Sequence, residues 1–226
     1  MLLLKPVILY PSKPRLLNMT SFPPPAEIVS TFRNSGLHGI QFQNIRRAYA
    51  VVKYKDRRGK THVHKERNTW GSHAEREMIQ YLENKLESEA LTSQTIKFYV
   101  NFSPCFQCSG HIISFLKEAE KFYDIDLKLE IIFPHLYKIR RPSCLDGSHN
   151  KDHRLPEPAE HKQNLMGLRK LSSVCGVEIH PFREKDWQRF AVLLSVPFSR
   201  SDYRVTGRED EDRALLDDFQ TLCIQK

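Results

Sequence analysis

From about Trp70 onward the chain alternates between two hydrophobic periods, and that alternation limits its fold more tightly than any other feature. After Glu75, Met78, Ile79, Leu82 and Leu86 recur at helical spacing. "TIKFYVNF" then switches to β-branched and aromatic residues, the composition of a strand. Ile112, Ile113, Leu116, Ala119 and Phe122 restore the helical stripe, and "LKLEIIFPHLY" reads as the next strand. "NLMGLRKLSSVCG" reads as a helix ending at Gly176, followed by "VEIHPF" as a short strand. Helices alternating with strands specify an α/β fold with a partly parallel sheet. A helix between the last two strands makes them parallel neighbours joined by a crossover.

The flanking regions extend this plan. "AYAVVKYK" and "KTHVHKER" surround the turn-like "DRRG" and predict a β-hairpin. A first helix is expected over Ala26–Arg33, followed by the glycine-bearing loop "NSGLHGIQFQN". Residues 1–24 are rich in proline and apolar residues without a period. Lys5, Pro6, Pro11 and Pro14 interrupt their apolar bursts, so they read as an irregular or docking extension rather than a signal peptide, leaving 25–226 as the folded domain. The polar stretch from Lys138 to about His161 is expected to be irregular, and two helices near "EKDWQRFAVLL" and "EDEDRALLDDFQTLC" finish the chain. No apolar run approaches the roughly 20 residues that span a bilayer, which points to a chain without membrane association in the cytoplasm or nucleus.

Chemistry-bearing residues stand at two of the expected helix starts. His73-Ala74-Glu75 opens one helix; Pro104-Cys105-Phe106-Gln107-Cys108 opens the next, with Ser103 as the expected N-cap and Pro104 at the first helical position. Two cysteines three apart at a helix N-terminus can aim both sulfurs at one point, where the helix dipole and free N–H groups favour the thiolate. His73 would complete a set of three protein ligands, the number a catalytic zinc uses while keeping one position for water. Glu75 sits two residues from His73 and is expected to shuttle a proton from water to a substrate nitrogen without ligating the metal. A purely structural zinc would need a fourth ligand, and Cys144, His149, His153 and His161 in the long loop lie outside the matching spacing. His62 and His64 share a strand face but read as polar outer-face residues.

Charge adds a partner class. The net charge is +8, and Arg46, Arg47, Lys53, Lys55, Arg57, Arg58, Lys60, Lys65 and Arg67 stand against only Asp56 and Glu66 in the hairpin region. Such clustering beside the His-x-Glu segment favours a nucleic-acid partner. The tail "GREDEDRALLDD" is acidic instead. Five cysteines, one close pair and three singles, suit a reducing compartment with one metal site.

H-x-E followed by P-C-x-x-C is the signature of zinc nucleobase deaminases. With "RNTWGSHAE", "NFSPCFQC", "HLY" and "GLRKLSSVCGVEI" in this order, the chain resembles the AID/APOBEC family of polynucleotide cytidine deaminases from about Ala26 to its last helix. The resemblance implies a cytidine-deaminase-like fold, a five-stranded mixed sheet with helices on both faces. It implies Zn2+ as cofactor and single-stranded DNA as partner, with RNA an open alternative. It further implies that Asn68 holds the target nucleotide's sugar and its loop. The backbone of Ala74 and Ser103 would bind the cytosine edge, and Tyr137 would lie against the flipped base. Phe102 stands where the family has tryptophan and still walls the pocket; Asn101 replaces a serine, and the 138–161 loop is longer than usual. A tRNA-editing deaminase shares the crossover topology, and a catalytically silent nucleic-acid-binding member would keep the same ligands. The expected activity is hydrolytic deamination of cytosine to uracil in a single strand.

Overall fold

The computed structural model describes residues 22–37, 47–88, 91, 95–145 and 155–222. Of the expected N-terminal extension, residues 1–21 lie outside the described residues. Helix α1, Pro25–Asn34, starts with proline at its first turn, where the missing N–H is not needed. Strands β1, Tyr49–Lys55, and β2, Thr61–Arg67, form the expected antiparallel hairpin, with Val52 opposite His64 and Tyr54 opposite His62. Helix α2, Ala74–Glu87, leads to β3, Thr95–Val100, and α3, Phe106–Tyr123, leads to β4, Lys128–Phe133. A short helix α4, Pro142–Leu145, and α5, Pro158–Ser172, precede β5, Val177–Pro181. Helices α6, Glu184–Leu193, α7, Arg200–Val205, and α8, Arg208–Thr221, follow.

The five strands form one mixed sheet in the order β2-β1-β3-β4-β5. β1 is antiparallel to β3, while β3, β4 and β5 run parallel. The crossover between the last two strands is therefore realised by α5, as the alternating periods predict. This is the cytidine-deaminase-like fold.

Helices cover both faces because β1, β3 and β4 are apolar on both sides. Ala50, Val52, Phe98, Val100, Ile131 and Phe133 pack beneath α2, α3, α5 and α8. Tyr49, Val51, Tyr99 and Ile132 face α1, α6 and α7 through Phe32, Phe190 and Tyr203. In α2, Met78, Ile79, Leu82 and Leu86 are all buried, matching their helical spacing. In α3 the stripe shifts by one residue in the last turn: Phe122 is 55% exposed, and Tyr123, four residues after Ala119, packs against the core instead.

Several local expectations give way to tertiary context. Helix α3 begins at Phe106 with Cys105 as its N-cap, not at Pro104 with Ser103. The Cys105 sulfur accepts from the Cys108 N–H at 3.5 Å and so takes the capping role itself. The stretch from Lys138 to His161 carries α4 and the first turn of α5, although its composition reads as irregular. An additional helix, α7, is capped by Ser199, whose hydroxyl accepts from the Asp202 N–H at 3.2 Å. His62 and His64 are not on an outer polar face. They stack on Tyr54 and Tyr81, at ring separations of 5.3 and 3.6 Å, and pair with Asp56 and Glu66, each at 2.8 Å.

Candidate active site

The parallel strands β3 and β4 end at the same edge of the sheet, and there the chemistry-bearing loops converge. β1 begins and β2 ends at this edge too, since Tyr49 pairs with Arg67 and Ala50 with Val100. Loops leaving the carboxyl ends of parallel strands are where open α/β sheets build their sites. Here they are Asn68–His73, Asn101–Cys105 and Pro134–Lys138.

His73 is the N-cap of α2 and Cys105 the N-cap of α3, so two helix N-termini meet. The His73 Nδ1 lies 3.6 Å from the Cys105 Sγ and 3.4 Å from the Cys108 Sγ. All three ligand atoms fall within 4.8 Å of one another. Tetrahedral zinc at ordinary Zn–S and Zn–N bond lengths places sulfur and nitrogen about 3.6 Å apart. The donor set and its spacing therefore fit zinc.

Protons in this cluster are already unevenly shared. The hydrogen bond from Cys108, together with His73, pulls the Cys105 thiol down to about 4 against the opposing effect of burial. The same contact pushes Cys108 upward, and the Cys105 hydrogen bond raises His73. Deprotonating Cys105 first is what a cation-binding site at a helix N-terminus should do. Glu75 lies in the first turn of α2 and is buried, and burial pushes its carboxyl up to about 7 in the protein alone. A bound dication would lower it again.

Aromatic rings stand beside the ligands. Tyr137 meets His73 edge-on at 6.2 Å and Phe102 edge-on at 6.1 Å. Both contacts are T-shaped, the arrangement the ring quadrupoles prefer. The Tyr137 loop is held by Ser103, whose Oγ accepts from the Tyr137 N–H at 2.9 Å. The Ser103 N–H donates to the His135 carbonyl at 2.8 Å, so the peptide group it could offer a base is its carbonyl. Ala74, buried at the first position of α2, has an N–H without an intrahelical acceptor.

The structure thus brings His73, Glu75, Cys105, Cys108, Ala74, Phe102, Ser103 and Tyr137 to one edge of the sheet. The Asn68 carboxamide oxygen accepts from the Ala48 N–H at 2.8 Å, so this side chain anchors the start of β1. Asn101 does the same one residue on, accepting from the Tyr49 N–H at 2.8 Å. Asn101 is buried, which gives the departure from serine a physical role: it holds β1 where the regular ladder ends. Asn164 of α5 accepts the Phe106 N–H at 2.9 Å and satisfies a first-turn donor of α3. Gly167, one turn on, is nearly as close; a Cβ there would come within 2.8 Å of the Phe106 Cα.

The root of the long loop is closed on itself. Lys138 pairs with Glu160 at 2.5 Å, and His161 accepts the Arg140 N–H at 3.1 Å. Arg141, buried, pairs with Glu211 and Asp218 of α8, and Ser143 donates to Asp218 at 2.7 Å. Lys138 adopts a left-handed backbone, φ 49°, between the Tyr137 contact and this anchor. These partners are up to 77 residues apart in sequence, so no local pattern announces them.

Residues 43–140, less than half of the chain, match the family described as APOBEC4-like -AID/APOBEC-deaminase. The match runs from the hairpin through both ligand-bearing helices past Tyr137 and ends at the start of the long loop. No curated protein matches the chain. Deaminases of this kind use a zinc held by one histidine and two cysteines, and His73, Cys105 and Cys108 are close enough to hold a metal. Among the described residues no helix is long and apolar enough to cross a membrane. Sheet order, ligand placement and the match agree: residues 43–140 are similar to the AID/APOBEC deaminase family.

Proposed function

We propose that this protein deaminates cytosine to uracil in single-stranded polynucleotide, DNA before RNA, with zinc held by His73, Cys105 and Cys108. The observation that carries this reading is the pairing of a zinc-sized Cys2His donor set with a buried carboxyl two residues from its histidine. Zinc, when bound, supplies the Lewis acidity that makes water a nucleophile at neutral pH.

The chain's own residues do the rest. Glu75 takes a proton from the attacking water and returns it to the exocyclic nitrogen, so that cytosine and water become uracil and ammonia. Burial raises the Glu75 carboxyl and a bound dication opposes that rise, so its protonation is set by the balance of the two. Phe102 and Tyr137 meet edge-on and form an aromatic wall beside His73, suited to a base turned out of its stack. The Ala74 N–H and the Ser103 carbonyl offer a donor and an acceptor to the edge of that base. Lys53, Lys55, Lys60, Lys65 and the neighbouring arginines supply positive charge for the phosphates.

The test is conversion of cytosine in a single-stranded DNA oligonucleotide, beside matched RNA, duplex DNA and free cytidine. Conversion of the single strand that disappears in Glu75→Gln protein with its zinc retained is the expected result. Equal conversion by Glu75→Gln would sink the mechanism. Strand binding with zinc present and no conversion would leave a silent binding member of the family as the better account.

A further inference from the structure

The segment that delivers His73 to the site also carries the most exposed large apolar side chain among the described residues. Thr69 and Ser72 exchange both backbone hydrogen bonds, N···O 3.0 and 3.3 Å, and close an isolated antiparallel bridge. Trp70 and Gly71 form the two-residue tip. Gly71 has φ 83°, a left-handed conformation that glycine adopts without steric penalty. Trp70 is therefore held on a short, doubly bonded turn rather than on a slack loop. Its indole is fully in solvent, at 104% relative exposure.

An indole carries about 150–250 Å² of contact surface, and here it contributes none of it to the core. The chain's other tryptophan behaves in the opposite way: Trp187 is buried and donates to Asp212 at 2.6 Å. Three peptide steps separate Trp70 from His73, which limits their Cα separation to about 11 Å. Basic side chains flank the turn, with Lys65 and Arg67 on the strand before it and the exposed Arg76 in the first turn of the helix after it. A rigidly presented aromatic face, bracketed by cations, beside a site for an extruded base has the chemistry of a single-strand stacking platform.

We propose that Trp70 stacks on an unpaired base flanking the one held at His73. The proposal rests on the reading of a single-stranded substrate and adds a subsite to it. Every base has a π-face, so this contact contributes affinity for an open strand rather than a sequence preference. Paired bases keep their faces stacked within the duplex, so the contact also discriminates against double strands.

Only two tryptophans are present, which makes the test direct. The zinc-loaded full chain is titrated with a 12-nucleotide single-stranded DNA of mixed sequence while tryptophan emission is followed. Matched RNA and duplex serve as comparisons, and Trp70→Ala and Trp70→Phe as variants. The expected result is quenching on binding of the single strand. Trp70→Ala should lose that quenching and raise Kd about 5- to 150-fold, whereas Trp70→Phe, which keeps a ring, should stay much nearer the original affinity. In turnover Trp70→Ala should raise KM and leave kcat in place, and its melting temperature should not move.

Unchanged strand affinity in Trp70→Ala, with Glu75-dependent conversion intact, would overturn this inference and leave the proposed function standing. Unchanged strand affinity together with altered sedimentation would overturn it in favour of Trp70 as a contact between copies. Failure of the unaltered protein to bind any single strand would remove the proposed function itself, and the inference with it.

Discussion

Two clusters of ionisable side chains serve the same edge of the sheet, and they are assembled in opposite ways. In the ligand cluster, His73, Glu75, Cys105 and Cys108 come from two short segments, each the start of one helix. Local spacing alone aims their side chains. In the second cluster Arg141, Arg208, Glu211, Asp212 and Asp218 are buried together; Arg208 and Asp212 pair within one turn of α8, but Arg141 reaches Glu211 and Asp218 from 70 and 77 residues away. Arg208, with no exposure, donates to the Ser35 carbonyl at 2.7 Å and the Pro134 carbonyl at 3.0 Å and pairs with Asp212. Asp212 also accepts from Trp187 at 2.6 Å and Tyr203 at 2.9 Å.

The difference lies in what each cluster can tolerate. The first has charge to spare for a metal and a reacting base. The second has its charges committed to one another and to backbone carbonyls, which is how buried ions persist at all. Through Arg141, Ser143 and the Pro134 carbonyl, this second cluster seats the loop that bears Tyr137. One cluster is chemistry placed by local geometry; the other is scaffold placed by the fold.

Breaking each cluster should therefore fail differently. The largest effect is expected from Cys108→Ser, which removes a thiolate ligand. Zinc content should fall from one per chain to near none and turnover should vanish, while far-UV circular dichroism remains close to native; full zinc content with retained activity would refute the assignment. Next comes Arg208→Met, which leaves Asp212 buried without its cation. Urea denaturation should show a loss of about 3–5 kcal/mol, with any folded fraction still able to bind zinc.

A smaller and pH-dependent effect separates a third ionic group from both clusters. Glu130 sits between His180 of β5 and Lys97 of β3, and the His180 hydrogen bond, followed by Lys97, pulls its carboxyl down to about 2. Because the folded value lies below the unfolded one, the stabilisation is complete above about pH 4.5 and drains away as pH falls toward 2. Melting temperature measured across that window should fall less steeply in Glu130→Gln than in the parent chain. The contribution at stake is about 2–3 kcal/mol.

The smallest expected effect tests the seam between site and scaffold. Gly167→Ala would press a methyl group against the Phe106 backbone, the first residue of α3 and the neighbour of Cys105. A loss of about 1–3 kcal/mol is expected from such overpacking. Weakened zinc affinity in the same variant would show that the α3–α5 seam helps to hold the cysteines in register; unchanged affinity would confine the seam to stability.

Much of the site was legible because its information is local. His73-Ala74-Glu75 and Pro104-Cys105-Phe106-Gln107-Cys108 each lie within a single helix start, and the dipole and spacing rules act over those few residues. The alternating periods that mark α2, β3, α3, β4 and β5 are equally local, so the mixed sheet could be anticipated. The N-cap of α3 could not be assigned correctly in this way. Ser103 and Cys105 both suit a cap, and Ser103 is drawn off by the Tyr137 N–H and the His135 carbonyl on another strand's loop.

The acidic tail shows the limit most clearly. In the sequence "GREDEDRALLDD" stands out only as acidic, yet Glu211, Asp212 and Asp218 are buried and tied to Arg141 and Arg208. Which face of α8 turns inward depends on Arg141 and on the partners of Arg208 and Asp212 outside the helix, although the Arg208–Asp212 pair itself is local to α8. Asn68, Asn101 and Asn164 follow the same rule: each satisfies a backbone N–H that only the assembled sheet and helices leave open. Sequence alone determined the periods, the candidate ligand set and the position of the buried carboxyl beside it, because side-chain direction within one helix turn is set by backbone geometry. Tertiary structure decided which polar groups are buried and whom they serve, because a buried donor or charge is stable only beside a partner that the fold brings to it.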